Sequence, residues 1–373
     1  MLNSRAIPAG AAEVYDRLGV RPVINAAGIY TDFGGSVLPP AVRDAVHAVN
    51  GTFASMTELL DRSGELLAEL LGVEAARVIP GAAAGIALSV GACMTRSDGR
   101  LMEQLPDTAG MRRGVLIQRN HRYKYDRCAR MTGATLVECD PDGMDEALGG
   151  DIACVLYPAH LEGRDGTLSL ADTAERAHAH GVPVVVDAAY MSYPTELIAT
   201  YGAQGADLTM FSAKYFWGPN AGGFVYGTPE LIAAVAQIDF TRFESGPHLI
   251  FGRVFKMDRS AVVGTVLALE EWLSLDHAAR WSSYRARGER LASELGHGAS
   301  LAQFTLDERL VDESPNSLVV DVGGREEELA RALMEGSPSI VSIPMEGKLV
   351  FCLETVAEED DESLLERIRS VLA

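Results

Sequence analysis

The stretch that decides the fold is GVPVVVDAAY at residues 181–190, followed by GADLTMFSAKYFWGPNAGGFVYG at residues 205–227. Val182 to Val186 consists mostly of apolar β-formers, which is typical of a strand buried on both faces. Asp187 ends that strand, and Lys214 comes just after the next apolar run. Because ligands bind at the carboxyl ends of strands in open α/β sheets, we expect both side chains at one ligand-binding edge.

Strands and helices alternate along most of the chain. The predicted apolar strands are 115–118, 135–139, 152–157, 182–186, 208–211 and 223–226. Around Val262 the pattern changes to two long helices followed by separated strands and shorter helices. This order predicts an α/β fold with a mainly parallel sheet and a smaller α+β C-terminal domain. We divide the chain into an N-terminal segment (1–45), a large domain (46–260) and a small domain (261–373).

Composition narrows the functional classes. The 373 residues are 47% hydrophobic and 23% charged, as in an ordinary globular protein. The net charge of −20 disfavours nucleic acid and anionic membranes as partners. Residues 78–95 carry no charge, but they contain Pro80 and three glycines and are rich in alanine, which predicts a buried helix and not a membrane span.

Cysteines and acidic residues give no sign of a metal site. The five cysteines form no CxxC pair, and we expect free thiols in a reducing cytoplasm. The first twelve residues have no apolar core of a signal peptide, which also predicts a cytoplasmic protein. The acidic run 358–362 begins the last predicted helix, where negative charge favours the helix dipole, so we interpret it as a solvated cap.

An aspartate and a lysine at the ends of two strands suit pyridoxal 5′-phosphate (PLP). A lysine amine forms a Schiff base with the aldehyde of PLP, and a carboxylate beside the pyridine nitrogen keeps the ring protonated. Few side chains compete for the first role, because the only lysines are Lys124, Lys214, Lys256 and Lys348. These two residues alone leave open the alternative that Asp187 caps a helix and Lys214 lies on the surface.

Two further motifs fit the same edge. Gly81, Ala82 and Ala83 form a small-residue turn before a predicted helix, whose N-terminal N–H groups would bind a phosphate. Ordinary helix packing explains such a turn equally well. His121 follows the strand 115–118, where an imidazole would stack on a pyridine face, and a polar loop is the alternative.

Together these segments resemble the selenocysteine synthase-like branch of the fold-type I PLP-dependent enzymes, and within it the D-glucosaminate-6-phosphate ammonia-lyase-like proteins. The matching segments cover most of residues 20–270 in order. They are 23–36, 53–88, 105–111, 117–127, 181–190, 205–227 and 252–259. The resemblance implies an aspartate aminotransferase-like fold, PLP as the cofactor and an active site at a homodimer interface.

The resemblance also implies a role for each matching residue. Lys214 would carry the Schiff base, Asp187 would pair with the pyridine nitrogen, and His121 would stack on the ring. The residues implied to hold the phosphate are Gly81, Ala82, Ala83 and Ser212. Arg253 and Lys256 would lie near the cofactor, reaching across the dimer interface.

Two departures from the family pattern concern the substrate. Ser212-Ala213 and Tyr215-Phe216-Trp217 flank the lysine where relatives have glycines, which predicts a narrower or more apolar pocket. Residues 342–347 lack the basic residue that fold-type I enzymes often use to bind a carboxylate. Arg119 or Arg122 would then take that role, or the substrate has no free α-carboxylate.

The expected reaction begins with removal of the Cα proton by Lys214, from an amino acid or amino sugar acid. Elimination, as in an ammonia lyase or β-lyase, is our first prediction. The alternative is racemisation or epimerisation, or another PLP-dependent transferase reaction such as transamination. His160, in Tyr-Pro-Ala-His after a strand, would supply a second acid, although an ordinary loop position explains it as well. Selenium transfer to tRNA conflicts with the charge of −20 and with the lack of a basic N-terminal domain. A non-catalytic binding protein of the same fold is the alternative from another class.

Overall fold

The structure is a computed structural model that describes residues 10–296, 298–305, 310–311 and 315–373. It divides into two compact units. The large unit is Gly34–Ser274, and the small unit comprises the described residues of Met1–Phe33 and of Leu275–Ala373. These boundaries differ from those predicted at 45/46 and 260/261. The helix Arg259–Ser274 belongs to the large unit because it packs on the helices Pro40–Asn50 and Met56–Leu71.

The elements of the described residues are numbered here in chain order. The strands are β1 (Val23–Asn25), β2 (Ala75–Ile79), β3 (Gly114–Gln118), β4 (Thr135–Cys139), β5 (Ile152–Pro158), β6 (Val184–Asp187), β7 (Leu208–Ser212), β8 (Gly223–Gly227), β9 (Ala299–Phe304), β10 (Leu310–Val311), β11 (Ser317–Asp321), β12 (Ser339–Val341), β13 (Ile343–Met345) and β14 (Lys348–Cys352). The helices are α1 (Ala11–Leu18), α2 (Pro40–Asn50), α3 (Met56–Leu71), α4 (Ala82–Thr95), α5 (Gly99–Gln104), α6 (Met144–Leu148), α7 (Leu170–Ala179), α8 (Pro229–Ile238), α9 (Phe240–Ser245), α10 (Arg259–Ser274), α11 (His277–Leu295), α12 (Glu326–Glu335) and α13 (Asp361–Leu372).

The large unit is built on a seven-stranded sheet in the order β2-β8-β7-β6-β5-β3-β4. All its strands run parallel except β8, which is antiparallel to both β2 and β7. The prediction of a mainly parallel α/β sheet is therefore confirmed. The carboxyl ends of β2, β3, β5, β6 and β7 share one edge, and β8 begins at that same edge.

Burial explains why these segments form strands. Every residue of β3, β5 and β6 is buried, as the unbroken apolar runs indicate for central strands of a parallel sheet. Helix α4, which starts at the predicted small-residue turn, is buried along almost its whole length and packs on β5, β6, β7 and β8. In the part of the chain that the structure describes, no helix is both long and apolar enough to span a membrane.

The small unit has a five-stranded antiparallel sheet in the order β10-β9-β11-β14-β13, and a parallel pair formed by β1 and β12. Helices α11, α12 and α13 pack around it, and their apolar residues join those of β11 and β14 in one core. The prediction of an α+β C-terminal part is confirmed, with the added feature that β1 joins it from the N-terminal segment.

The acidic run 358–362 does begin the last helix, but the interpretation as a solvated cap is wrong for Asp361. This side chain is buried and forms ion pairs with Arg287 and Arg290 of α11. Its partners lie about 70 residues earlier in the chain, so local sequence gave no sign of them. Among the described residues, no group of three or more His, Cys, Asp or Glu side chains is arranged to hold a metal ion.

We predict that Gly223→Ala destabilises the protein by about 2 kcal/mol. A methyl group at this position would lie 2.3 Å from the carbonyl oxygen of Phe211 and 3.0 Å from Cα of Gly81, both backbone atoms. The control is Gly202→Ala, where the added methyl group meets nothing within 4 Å. Chemical denaturation of both variants measures the difference. Equal free energies of unfolding for the two variants would contradict the close approach.

Candidate active site

Asp187 lies at the end of β6, only 3% exposed, on the edge where the parallel strands finish. Its Oδ1 accepts a hydrogen bond of 3.1 Å from the backbone N–H of Ala189. Its Oδ2 accepts one of 2.5 Å from the hydroxyl of Tyr123. Burial raises the pKa of the Asp187 carboxyl, and the two donors oppose that rise. The site therefore holds a carboxylate whose charge is poorly solvated, which suits a cationic partner.

Lys214 lies on the short 3-10 turn Ala213–Phe216 that follows β7, and it is 8% exposed. Its Nζ lies 5.0 Å from the centroid of the Tyr215 ring. The turn is closed by backbone hydrogen bonds of Ala213 to Gly222 and of Gly218 to Ala213. Gly218 has to be glycine because a Cβ there would lie 2.9 Å from the carbonyl oxygen of Ala213. A buried amine on a tightly closed turn is well placed for a fixed covalent role.

The three aromatic residues after the lysine have different surroundings. Phe216 is buried and packs on Phe224 of β8, with ring centroids 5.8 Å apart. Trp217 packs edge-to-face on Trp272 of α10 at 5.2 Å. Tyr215 alone of the three has the amine of Lys214 over its ring. Each of the three therefore lies against another aromatic ring of the large unit, since Tyr215 is 5.8 Å from Tyr190.

The small-residue turn lies at the same edge, between β2 and α4. Gly81 has φ = +88°, a conformation that favours glycine. The next residue, Ala82, donates its backbone N–H to Oγ of Ser212 over 3.2 Å, which joins the start of α4 to the end of β7. Ala83, the second residue of the helix, is exposed, whereas Gly81 and Ala82 are buried. The residues predicted to hold a phosphate are thus brought together.

His121 is fully buried just after β3. Its ring packs edge-to-face on Tyr157 at 4.8 Å, and its Nδ1 lies 3.4 Å from Nε2 of Gln118. Its Nε2 has no hydrogen-bond partner among the described residues. Burial lowers the pKa of His121 to about 4, so the ring is neutral at pH 7. None of these contacts joins the His121 ring to Asp187. The role of His121 in stacking on the cofactor ring therefore stays a prediction.

His160 lies on the 3-10 turn after β5 and belongs to a row of aromatic side chains. Its ring is 5.3 Å from that of Tyr123 and 5.3 Å from that of Tyr190, and Tyr190 is 5.8 Å from Tyr215. The row thus leads from the partner of Asp187 to the ring beneath Lys214. Sequence reasoning identified His160 but missed Tyr123 and Tyr190. The available signal for both was their position three to five residues beyond the end of a buried strand.

The basic residues predicted to bind the cofactor or the substrate form other contacts in the structure or are exposed. Arg253 forms an ion pair with Glu244 over 2.6 Å, and Lys256, three residues later, is exposed. Their role near the cofactor stays a prediction. Arg119 and Arg122, considered for the substrate carboxylate, both pair with Glu138. An incoming carboxylate would therefore have to displace an existing ion pair to bind either of them.

The residues present fit PLP. The start of α4 and the hydroxyl of Ser212 suit a phosphate, and the carboxylate of Asp187 suits a ring nitrogen. A buried lysine follows the neighbouring strand, and His121 leaves one buried ring nitrogen without a protein partner. The site thus offers one protein group for each part of the cofactor: the start of α4 with Ser212 for the phosphate, Lys214 for the aldehyde and Asp187 for the pyridine nitrogen.

No family model matches the sequence, but known proteins do. D-glucosaminate-6-phosphate ammonia lyase of Salmonella typhimurium is 31% identical over 271 residues, covering 69% of this chain and 70% of that protein. The 5′-C-glycyluridine monooxygenase-decarboxylase of a Streptomyces species is 27% identical and covers 96% of this chain and 92% of its own. L-seryl-tRNA(Sec) selenium transferase of Moorella thermoacetica is 28% identical, but the match covers only 56% of that longer protein.

Solved structures of related proteins have a similar fold. The structure of a D-glucosaminate-6-phosphate ammonia-lyase superposes with a TM-score of 0.82 at 26% identity, over 96% of this chain and 98% of the other. Serine palmitoyltransferase of Sphingomonas wittichii superposes with a TM-score of 0.53 at 16% identity, over 94% of this chain and 87% of the other. The second likeness shows the shared fold alone.

Proposed function

The chain belongs to the family of D-glucosaminate-6-phosphate ammonia lyase, among the fold-type I PLP-dependent enzymes, and from this premise we propose that it is a lyase acting on an amino acid or amino sugar acid. The first step is removal of the proton from the carbon that bears the amino group. Loss of a group from the neighbouring carbon follows, and the nitrogen is finally released as ammonia. The observation that carries this proposal is the buried pair of Asp187 and Lys214 at the ends of adjacent parallel strands.

Each residue has a distinct task in this reaction. Bound PLP supplies an electron sink for the bonds of the carbon next to the substrate nitrogen. Asp187 would hold the ring nitrogen protonated, and the start of α4 with Ser212 would hold the phosphate. The amine of Lys214 would hold the cofactor and would accept the Cα proton of the substrate. His160, beside Tyr123 and Tyr190, donates a proton to the departing group.

Proton exchange in heavy water tests the proposal. Amino acids and amino sugar acids, with and without a phosphate, are incubated with the PLP-loaded protein in deuterated buffer. For at least one substrate we expect deuterium at Cα of the recovered substrate, together with ammonia and a keto product that carries deuterium on the carbon next to its carbonyl group. Deuterium with inversion and no ammonia would instead show the racemase or epimerase. A protein that binds PLP but exchanges no proton would be the non-catalytic alternative and would contradict the proposal.

A second candidate function follows from the length of the alignment with one relative. The glycyluridine monooxygenase-decarboxylase aligns with nearly the whole chain, whereas the ammonia lyase aligns with 69% of it. The same cofactor residues would then activate an amino acid towards oxygen and loss of CO₂. An oxygen electrode in the assay above separates the two candidates. Substrate-dependent oxygen uptake supports the second, and turnover without oxygen supports the lyase.

We further propose that the protein works as a cytoplasmic homodimer with small-molecule substrates. The segment that carries Arg253 and Lys256 also carries Val254, which is 74% exposed, and Leu249 shortly before it is 71% exposed. Apolar side chains this exposed are typical of a surface that a partner covers. Light scattering on the purified protein measures the mass. A monomer that keeps full activity would contradict a site completed by a second subunit.

A further inference from the structure

Tyr123 contacts Asp187 through its hydroxyl, which donates to Oδ2 over 2.5 Å. The backbone N–H of Ala189 donates to the other oxygen, Oδ1. A carboxylate has about four acceptor positions, so room for a third donor remains. If the proposed function is correct, on which this inference rests, that third donor is the protonated ring nitrogen of PLP.

We propose that Tyr123 is a positioning residue that keeps Asp187 ionised and holds its carboxylate in place for the ring nitrogen. Burial pushes Asp187 towards its neutral form, in which it cannot hold the ring nitrogen protonated. A hydroxyl donor stabilises the ionised form and so opposes this effect. Burial and the adjacent carboxylate also raise the pKa of Tyr123 well above its usual value, so its hydroxyl stays a donor.

The tyrosine is held at several points. Its backbone N–H donates to Oδ2 of Asp126 over 3.2 Å, and the same oxygen accepts from Nε of Arg122 over 2.5 Å. Asp126 is itself buried. The ring of Tyr123 packs edge-to-face on His160. Because the backbone and the ring are both fixed, the hydroxyl reaches Asp187 without a large loss of side-chain freedom.

The test is Tyr123→Phe, which removes the hydroxyl and keeps the ring that packs on His160. The matched control is Tyr226→Phe in β8. Tyr226 is buried, whereas Tyr123 is half-buried, and the hydroxyl of Tyr226 donates over 2.7 Å to the carbonyl oxygen of Ile198 and not to Asp187. Both variants and the unaltered protein are loaded with PLP labelled with ¹⁵N in the ring. The ¹⁵N chemical shift reports ring protonation, and equilibrium titration gives the dissociation constant for PLP.

In Tyr123→Phe we expect the ¹⁵N signal to move towards that of the unprotonated ring, and PLP to bind about tenfold more weakly. In Tyr226→Phe the signal should not move, even if stability falls. An unchanged signal and an affinity within twofold of the unaltered protein would overturn the role of Tyr123. Failure of the unaltered protein to bind PLP would instead refute the proposed function, so the two failures are distinguishable.

Discussion

Replacing Lys214 by alanine should lower Cα-proton exchange by about 10⁴-fold or more. The loss is expected because this amine both anchors the cofactor and accepts the proton. Its removal therefore abolishes both tasks at once. Added methylamine should restore a small part of the exchange by supplying the missing base from solution. Exchange rates in heavy water and the visible absorption of the protein measure both effects.

Lys348→Ala is the matched control, because Lys348, in β14, has no predicted role in holding the cofactor or the substrate. It should keep the cofactor and exchange at rates within about twofold of the unaltered protein. Circular dichroism of both variants shows whether the fold is intact. A folded Lys214→Ala variant that exchanges at a rate within tenfold of the unaltered protein would exclude Lys214 as the essential amine.

Replacing Asp187 by asparagine should lower the exchange rate by about 10³-fold while the cofactor stays attached to Lys214. An amide cannot hold a positive charge on the ring nitrogen, so the cofactor accepts electrons less well. The side chains have nearly the same shape, and the amide oxygen can still accept a hydrogen bond from Ala189. The experiment compares the exchange rate with the fraction of protein that carries the cofactor.

Stability without the cofactor provides the control for this variant. Burial raises the pKa of Asp187, so the folded state favours the protonated carboxyl. The cofactor-free protein therefore loses stability as the pH rises from the carboxyl pKa of the unfolded state through that of the folded state. Asp187→Asn lacks this loss. Its cofactor-free form should therefore be at least as stable as the unaltered protein at pH 7. A large fall in stability would mean that the lost activity reflects damage to the fold.

The sheet and its ligand-binding edge were predictable because periodicity and apolar runs are local signals. The runs at Val182 to Val186 and at the strand before Lys214 mark central strands, and central parallel strands place their following residues at one edge. The division of the chain at 274/275 differs from the predicted boundary at 260/261 for a related reason. The helix there is regular in sequence, and only its packing on α2 and α3 assigns it to the large unit.

The parts of the site that were missed depend on irregular backbone. A 3-10 turn, Arg119–His121, ends β3, and the direction of each later side chain follows from that turn and not from a period of two or 3.6. His121 was therefore singled out by its chemistry, while Tyr123, which contacts Asp187, carried only the weak signal of lying five residues after the end of β3. Asp361 was misjudged in the same way, since its arginine partners lie on α11.

The measurement that tests the central claim most directly is the absorption spectrum of the purified protein before and after borohydride, followed by mass mapping of the reduced peptide. Borohydride reduces the carbon–nitrogen double bond between cofactor and lysine and makes the linkage permanent. With only four lysines in the chain, the modified peptide identifies the site without ambiguity. We predict a visible band that disappears on reduction and a PLP adduct on Lys214. An adduct on Lys124, Lys256 or Lys348, or no cofactor after incubation with PLP, would contradict the account.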